Sequence, residues 1–206
     1  AGQNLVELFS QAEALAQEGD PARVRALYDE WLSANPGQPQ AHAALFNQGC
    51  SQKYGAPEVA EACFREALRL QPNFLQARYN LGTTLERLGR IPEALEAWSA
   101  LTALPDGSTG LEREMLLYGL NHSGRVLEQQ RRFSQAEEML ARSLRLDPSQ
   151  RKVIHHWVHL RQKQCAWPVF AEMPGLAPQA MQGATSALAM LDVTDDPEVQ
   201  LSAARR

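Results

Sequence analysis

Long apolar runs are missing from this chain of 206 residues. No stretch approaches the roughly 18 consecutive apolar residues that a membrane-crossing helix needs, so a helical membrane protein is excluded. Alternating runs of β-branched residues are missing too, and with them the signal for a sheet of consequence. Cysteine is scarce. Cys50, Cys63 and Cys165 are odd in number and show no close-spaced ligand pattern. They read as free thiols in a reducing compartment, which makes the cytoplasm the expected location. Basic excess is also absent: the net charge of −4 argues against a generic nucleic-acid binder. No glycine-rich loop follows a strand, so no phosphate cradle of that kind is expected. No signal-peptide pattern is visible, and an opening at Ala1 rather than Met leaves room for a leader.

What is present suits helices. Hydrophobic residues make up 44% of the chain, and Ala, Leu, Glu, Gln and Arg dominate. The stretch Arg78-Tyr79-Asn80-Leu81-Gly82-Thr83-Thr84-Leu85-Glu86-Arg87-Leu88-Gly89, followed by Pro92-Glu93-Ala94-Leu95-Glu96-Ala97-Trp98, is the most informative. Leu81, Gly82 and Leu85 share one helical face, and Gly89 ends that helix. Ala94 and Trp98 open the inner face of the next. Small residues at 82 and 94 let two helices approach closely while bulky neighbours fill the space between them. The pattern recurs. Gly19, Gly55 and Gly89 fall at an inter-helix turn, spaced 36 and then 34 residues. Ala60, Ala94 and Ala136 hold the small position of the second helix, and Phe64, Trp98 and Leu140 follow each by four. Pro36, Pro72, Pro105 and Pro148 close the units.

This repeat resembles the tetratricopeptide unit. A pair of such helices cannot bury its apolar face alone and must stack on copies of itself. The expected fold is all-α, a right-handed superhelix (α-solenoid) of about four and a half repeats plus a short helical or irregular C-terminal segment. The units are read as 5–38, 40–73, 74–108 and 110–149, with a half unit at 150–166 closing a repeat array over 1–166. The fourth unit carries extra residues at its front, read as a longer loop and an extended first helix from Glu112 to Gln130. In the half unit, Ile154, Trp157, Val158 and Arg161 take the packing positions. Trp31, Trp98 and Trp157 read as core, and Trp167 as a pin holding the tail to the last repeat helix. Within the tail, 167–206, a short helix is expected near 177–184. An irregular apolar stretch at Ala187–Val193 follows, then a helix opened by Asp195-Asp196-Pro197.

The junction His155-His156-Trp157-Val158-His159-Leu160-Arg161-Gln162-Lys163-Gln164-Cys165-Ala166-Trp167 is similar to that of the O-linked N-acetylglucosamine transferase family, in its SPINDLY-type and bacterial members. There a half repeat runs through a Gln-x-x-Cys-x-Trp motif, here Gln162, Cys165 and Trp167, into the catalytic region. Thr185 to Leu191, then Thr194-Asp195-Asp196-Pro197, resembles the first part of that region. The resemblance implies a chain cut off early, in which 167–206 begins a truncated catalytic segment. The parent would take a nucleotide-sugar donor in two lobes lying beyond residue 206. No catalytic residue, cofactor site or metal site is therefore assigned within this chain. A histidine cluster found near this point in animal members has no counterpart at Thr185-Ser186-Ala187.

Helix geometry marks one further face. With the fourth, seventh, eighth and eleventh positions of each first helix in the core, the second, sixth, ninth and thirteenth lie opposite and line a concave groove. The sixth positions are Ser10, Asn47, Asn80, His122 and His156. Thr83, Arg87, Arg125, Lys152, His159 and Lys163 complete the candidate peptide-binding residues. The resemblance implies an asparagine ladder at the sixth position that holds an extended polypeptide by its backbone. An amide can do this regardless of sequence because it both donates and accepts. Asn47 and Asn80 match the ladder; Ser10, His122 and His156 depart from it. The basic residues toward the C-terminus suggest acidic segments in the bound polypeptide. A two-carboxylate clamp for chaperone tails is not matched, since Phe46 and Cys50 hold the places where it needs Lys and Asn. His155 and His159 are four apart, but no carboxylate or thiol other than Cys165 stands at a spacing that could add a ligand, and no metal is expected.

Two functions follow. One is a repeat region selecting polypeptide substrates for a protein O-glycosyltransferase; the other is a free-standing scaffold for protein assembly. The partner is a polypeptide, with no nucleic acid and no membrane, and a homodimer is compatible with either. A terminal cap should be one amphipathic helix with a polar outer face. The several apolar pieces of the tail, Leu188–Leu191 among them, favour the first.

Overall fold

The computed structural model describes residues 4–35, 37–191 and 194–205. Pro36 and the end of the 187–193 stretch, residues 192–193, lie outside them. Twelve helices and no strand are found among the described residues. They fall into two compact units, residues 1–103 and 104–206.

The first unit holds α1 (Leu5–Gln17), α2 (Pro21–Ala34), α3 (Ala41–Gln52), α4 (Pro57–Leu70), α5 (Leu75–Arg87) and α6 (Ile91–Thr102). Consecutive helices pack as hairpins, and each hairpin stacks on the next through α2 against α3 and α4 against α5. The starts are written locally. Asn4 and Asp20 accept backbone N–H groups of Val6 and Arg23 at 3.3 and 3.0 Å, which caps orphan donors of the first turn. Proline at the first or second position of α2, α4 and α6 loses no helical hydrogen bond there. Two of the three hairpin turns share one device. Gly19 and Gly89 take φ of 77° and 74°, and the next residue's N–H reaches back five residues, Asp20 to Leu15 and Arg90 to Leu85. This is the left-handed helix end that glycine favours. Gly55 differs. Its φ is not positive, and Ala56 donates to Gln52 in an ordinary helical bond instead. α3 thus ends one residue sooner.

Inside the hairpins α3–α4 and α5–α6 a glycine faces a large side chain. A Cβ on Gly49 would come 2.7 Å from Phe64 Cε1, and one on Gly82 would enter the Trp98 indole. Trp98 and Phe64 are both fully buried, as are Ala60 and Ala94. The Trp98 indole N–H donates to the Tyr79 carbonyl at 3.2 Å. Not every contact is apolar. Gln48, 2% exposed, donates to Asp29 at 2.6 Å and accepts from the Cys63 thiol at 3.3 Å. Gln52 donates to the Pro21 carbonyl at 3.0 Å.

The second unit holds α7 (Gly110–Gln129), α8 (Phe133–Leu146), α9 (Arg151–Lys163), α10 (Pro178–Ala184), α11 (Ala187–Leu191) and α12 (Pro197–Ala204). α7 and α8 repeat the hairpin, with Gly124 against Leu140. At the turn the glycine place is taken by Arg131, φ 58°, and after α9 by Cys165, φ 51°. Arg132 and Ala166 make the same five-residue bonds, to Leu127 and Arg161. α7 and α8 are joined to the start of α9 by a polar network. Ser143 donates to Asn121 at 2.6 Å, Asn121 donates to Gln150 at 2.7 Å, and Gln150 donates to the Asp147 carbonyl at 3.0 Å.

The tail packs on α9 through α10. Val169, Leu176, Met181 and Met190 are buried. Two expectations are corrected here. The stretch expected to be irregular is helical over Ala187–Leu191. Trp167 does not pin the tail, being 66% exposed. Arg161 does so instead. Its guanidinium donates to the carbonyls of Ala166, Pro168 and Val169 and pairs with Glu137. Arg151 donates to the Gly183 carbonyl at 3.0 Å, and Gln162 to that of Ala189 at 2.8 Å. The helix opened at Asp195–Pro197 is present, with Asp196 accepting from the Glu198 N–H at 2.9 Å.

Two predictions follow from this packing. Gly82→Ala should destabilise the protein by about 1–3 kcal/mol, the usual cost of overpacking a filled core. Gly55→Ala, with open space around it, should be neutral or stabilising within about 1 kcal/mol. Equal urea midpoints for the two variants would count against a steric role for Gly82. The second prediction concerns alkaline pH. Burial pushes the Cys63 thiol from its usual 9.0 to about 11 and the Tyr28 phenol from 10.0 to about 12. Both folded pKa values are raised, so the stability they contribute is complete below pH 9 and is lost as pH climbs toward 11 and 12. Urea midpoints should hold to pH 9 and then fall, with a shallower fall near pH 9.5 in Cys63→Ala. A midpoint that is flat from pH 8 to 11 would refute this.

Candidate functional site

The candidate residues divide between the two units. On the first, Ser10 of α1 is exposed and Asn47 of α3 is half-buried with no side-chain hydrogen bond among the described residues. Asn80 of α5 is different. It is 8% exposed, and its amide N–H donates to the Gln76 carbonyl of its own helix at 2.9 Å. Thr83 donates to the Asn80 carbonyl at 3.0 Å. Asn47 therefore presents a free amide, whereas Asn80 and Thr83 have donors turned onto the α5 backbone. Arg87 lies over Tyr54, its guanidinium 4.7 Å from the ring centroid, and donates to the Tyr54 carbonyl at 3.3 Å. Lys53 stands 5.2 Å from the same ring. Tyr54 is 71% exposed, and the sequence reading did not single it out. Its place in the repeat register is the available signal: it stands two residues past the end of α3, at the register position that Arg87 and Lys163 hold in their units. Burial raises the pKa of the neighbouring Cys50 thiol, which keeps it protonated near neutrality.

On the second unit, α7 and α9 bring most of the remaining residues together. Arg125, His156 and Lys163 line one open cavity of about 600 Å³ with Glu128, Gln129, Arg131 and Phe133. The centre of its charge is Glu128, whose side chain is only 11% exposed. Lys163 Nζ lies 3.1 Å from Glu128 Oε1, and His156 Nδ1 lies 3.1 Å from Oε2. Lys163 also stands 5.6 Å from the Phe133 ring centroid, and Arg125 approaches His122 Nδ1 at 3.4 Å. The basic stripe expected from sequence is thus partly answered within the protein. Among the side chains that line it, three are cations, Arg125, Arg131 and Lys163, and one is a carboxylate, Glu128. Arg131 reaches it because the α7–α8 turn is left-handed at that residue. Lys152 is exposed and lines neither this cavity nor its neighbour.

His159 lines that neighbouring cavity, of about 450 Å³, with His155, Gln162, Lys163, Trp167, Ser186 and Ala189. The His155 and His159 rings stack with centroids 6.4 Å apart and planes 9° apart. No cluster of three metal-binding side chains occurs among the described residues, and no helix among them is long and apolar enough to cross a membrane.

Comparison with known proteins agrees with the hairpin architecture. Residues 55–108 match the family model described as tetratricopeptide repeat. No curated protein matches the sequence. Among solved structures, PilF of Pseudomonas aeruginosa superposes with a TM-score of 0.67 at 20% identity, covering 95% of this chain and 86% of that one. YrrB, described as a tetratricopeptide protein with an unusual peptide-binding site, gives 0.63 at 18% identity over 98% and 93%. MamA of Desulfovibrio magneticus RS-1 gives 0.63 at 18% identity over 80% and 88%. At such identities the likeness is one of fold.

The two asparagines should behave unequally toward a bound polypeptide. Asn47→Ala should cost about 0.5–1.5 kcal/mol of binding, one net hydrogen bond, and Asn80→Ala less. Fluorescence polarisation with a peptide bound by the parent chain measures both. Equal losses would mean that Asn80 faces the ligand after all.

Proposed function

Taking the chain as a tetratricopeptide-repeat protein, we propose that it is a protein-binding scaffold whose first-helix faces hold extended polypeptide, with acidic residues seated in the second unit. The observation that carries this reading is the cavity at Arg125, Arg131 and Lys163, where a single acid, Glu128, faces three cations. A carboxylate entering it gains charge-assisted hydrogen bonds in a partly enclosed setting. The free amide of Asn47 adds a contact indifferent to side chain in the first unit. That YrrB, a protein of the same fold, is described as having a peptide-binding site supports a polypeptide ligand.

The second reading makes the chain the substrate-selecting front of a protein O-glycosyltransferase. It rests on the Gln162, Cys165 and Trp167 resemblance and on the exposure of Trp167, Leu191 and Leu201, at 66%, 54% and 50%. Val169, Leu176, Met181 and Met190 of the tail are already buried within this chain. That burial removes the main reason to require further protein around the tail and puts the scaffold first. Sugar transfer from a nucleotide-sugar to a bound peptide by the protein purified from its native source would restore the second reading.

The scaffold reading is tested with labelled 12-residue peptides, one rich in Glu and Asp and one with Gln and Asn in their places. The acidic peptide should bind more tightly. The double variant Arg125→Glu with Arg131→Glu, checked for folding by circular dichroism, should weaken it by about 1–2 kcal/mol, roughly 5- to 30-fold. The loss should shrink as salt rises from 0.05 to 0.5 M. Equal binding of both peptides, or no salt dependence, would refute an acidic ligand.

A further inference from the structure

The cavity bounded by α9 and the tail differs from its neighbour around Glu128 in kind. Its lining includes three aromatic rings, of His155, His159 and Trp167. His155 and His159 stack in near-parallel planes, and the Trp167 indole stands at the rim, 66% exposed. The other tryptophans, Trp31, Trp98 and Trp157, are buried. An indole this exposed beside a preformed cavity is the kind of aromatic anchor that concentrates binding energy at an interface. Two polar groups accompany it. The Gln162 amide nitrogen is held by the Ala189 carbonyl at 2.8 Å, and its amide oxygen has no partner among the described residues. The Ser186 oxygen accepts from the Ala189 N–H at 3.3 Å, which leaves its proton to donate. No acid lines the cavity, and Lys163 lines both this cavity and the one around Glu128.

We propose that this cavity binds a tyrosine side chain of the partner polypeptide, so that the protein reads an acidic residue and a nearby tyrosine together. The inference rests on the acidic-segment reading above and deepens it. A phenol ring fits the stacked imidazole wall and the indole. Its hydroxyl can donate to Gln162 and accept from Ser186. Among the described residues, Lys163 is the one cation that lines the cavity. Because one lysine side chain separates the two cavities, and extended chain advances roughly 3.3 Å per residue, the acid and the tyrosine should lie about one to three residues apart.

The test uses the whole chain and three labelled peptides in a Gly/Ser frame: Glu-Glu-Gly-Tyr, Glu-Glu-Gly-Ala, and Glu-Glu with tyrosine eight residues away. The first should bind about 5- to 30-fold more tightly than the other two. It should also protect Trp167 from acrylamide quenching, a readout that needs no variant. In Trp167→Ala the gain from tyrosine should vanish. A purely structural loss would lower all three peptides alike, so the double-mutant cycle between Trp167 and the peptide tyrosine separates the two. Acidic peptides that bind equally with and without tyrosine would overturn the tyrosine site and leave the acidic reading standing. A tyrosine gain that survives in Trp167→Ala would overturn it too. Binding of none of the three would overturn both readings.

Discussion

Three of the hairpins depend on one steric fit, a backbone without Cβ pressed against one large side chain. Gly49 meets Phe64, Gly82 meets Trp98, and Gly124 meets Leu140. The missing Cβ lets the helix axes close up, and the large side chain fills what remains to interior density. Every other property of the units follows from this approach. It sets which positions of the first helix are covered by the second, so it also sets which positions remain to meet a ligand. Asn47 is only half-buried, whereas Gly49, two residues on, lies buried against Phe64.

The polar interactions refine that frame. Gln48 with Asp29 and Cys63, and Asn121 with Ser143 and Gln150, put hydrogen bonds where stacked helices usually bury apolar groups. Such networks are specific because an unpaired member would be costly. Arg161 extends the same logic to the tail. Three backbone carbonyls of an irregular segment would be unsatisfied against the array, and one guanidinium answers all three while its charge is met by Glu137. An ammonium has three donors, whereas the five of the guanidinium serve three carbonyls and the Glu137 carboxylate together.

Electrostatics divides the candidate surface. Glu128 sits nearly covered, with Lys163 and His156 on its two oxygens. It orients both groups in a cavity that Arg125 and Arg131 also line. Lys163 is therefore fixed where it can face two cavities. The same lysine placed on an open helix would sample many rotamers, at an entropy cost on binding.

The sequence by itself determined the all-helical hairpin architecture, because spacing of small and bulky residues is a local, one-dimensional signal. The positions of Gly82, Ala94 and Trp98 could be read directly, as could the burial of Trp31, Trp98 and Trp157. It also marked Arg125, His156 and Lys163 as one face, since helical period alone puts them there. Only the tertiary structure decided where each polar hydrogen bond goes. Asn80 and Asn47 are equivalent in register, yet Asn80 is turned onto its own helix while Asn47 has no such bond. No pattern distinguishes them, because rotamer choice depends on the neighbours. Arg131 in a left-handed turn, Arg161 as the tail's clamp and Trp167 exposed at a cavity rim were hidden for the same reason. Each depends on residues distant in sequence, or on a backbone angle that arginine seldom adopts, and neither is written in the residue's own identity.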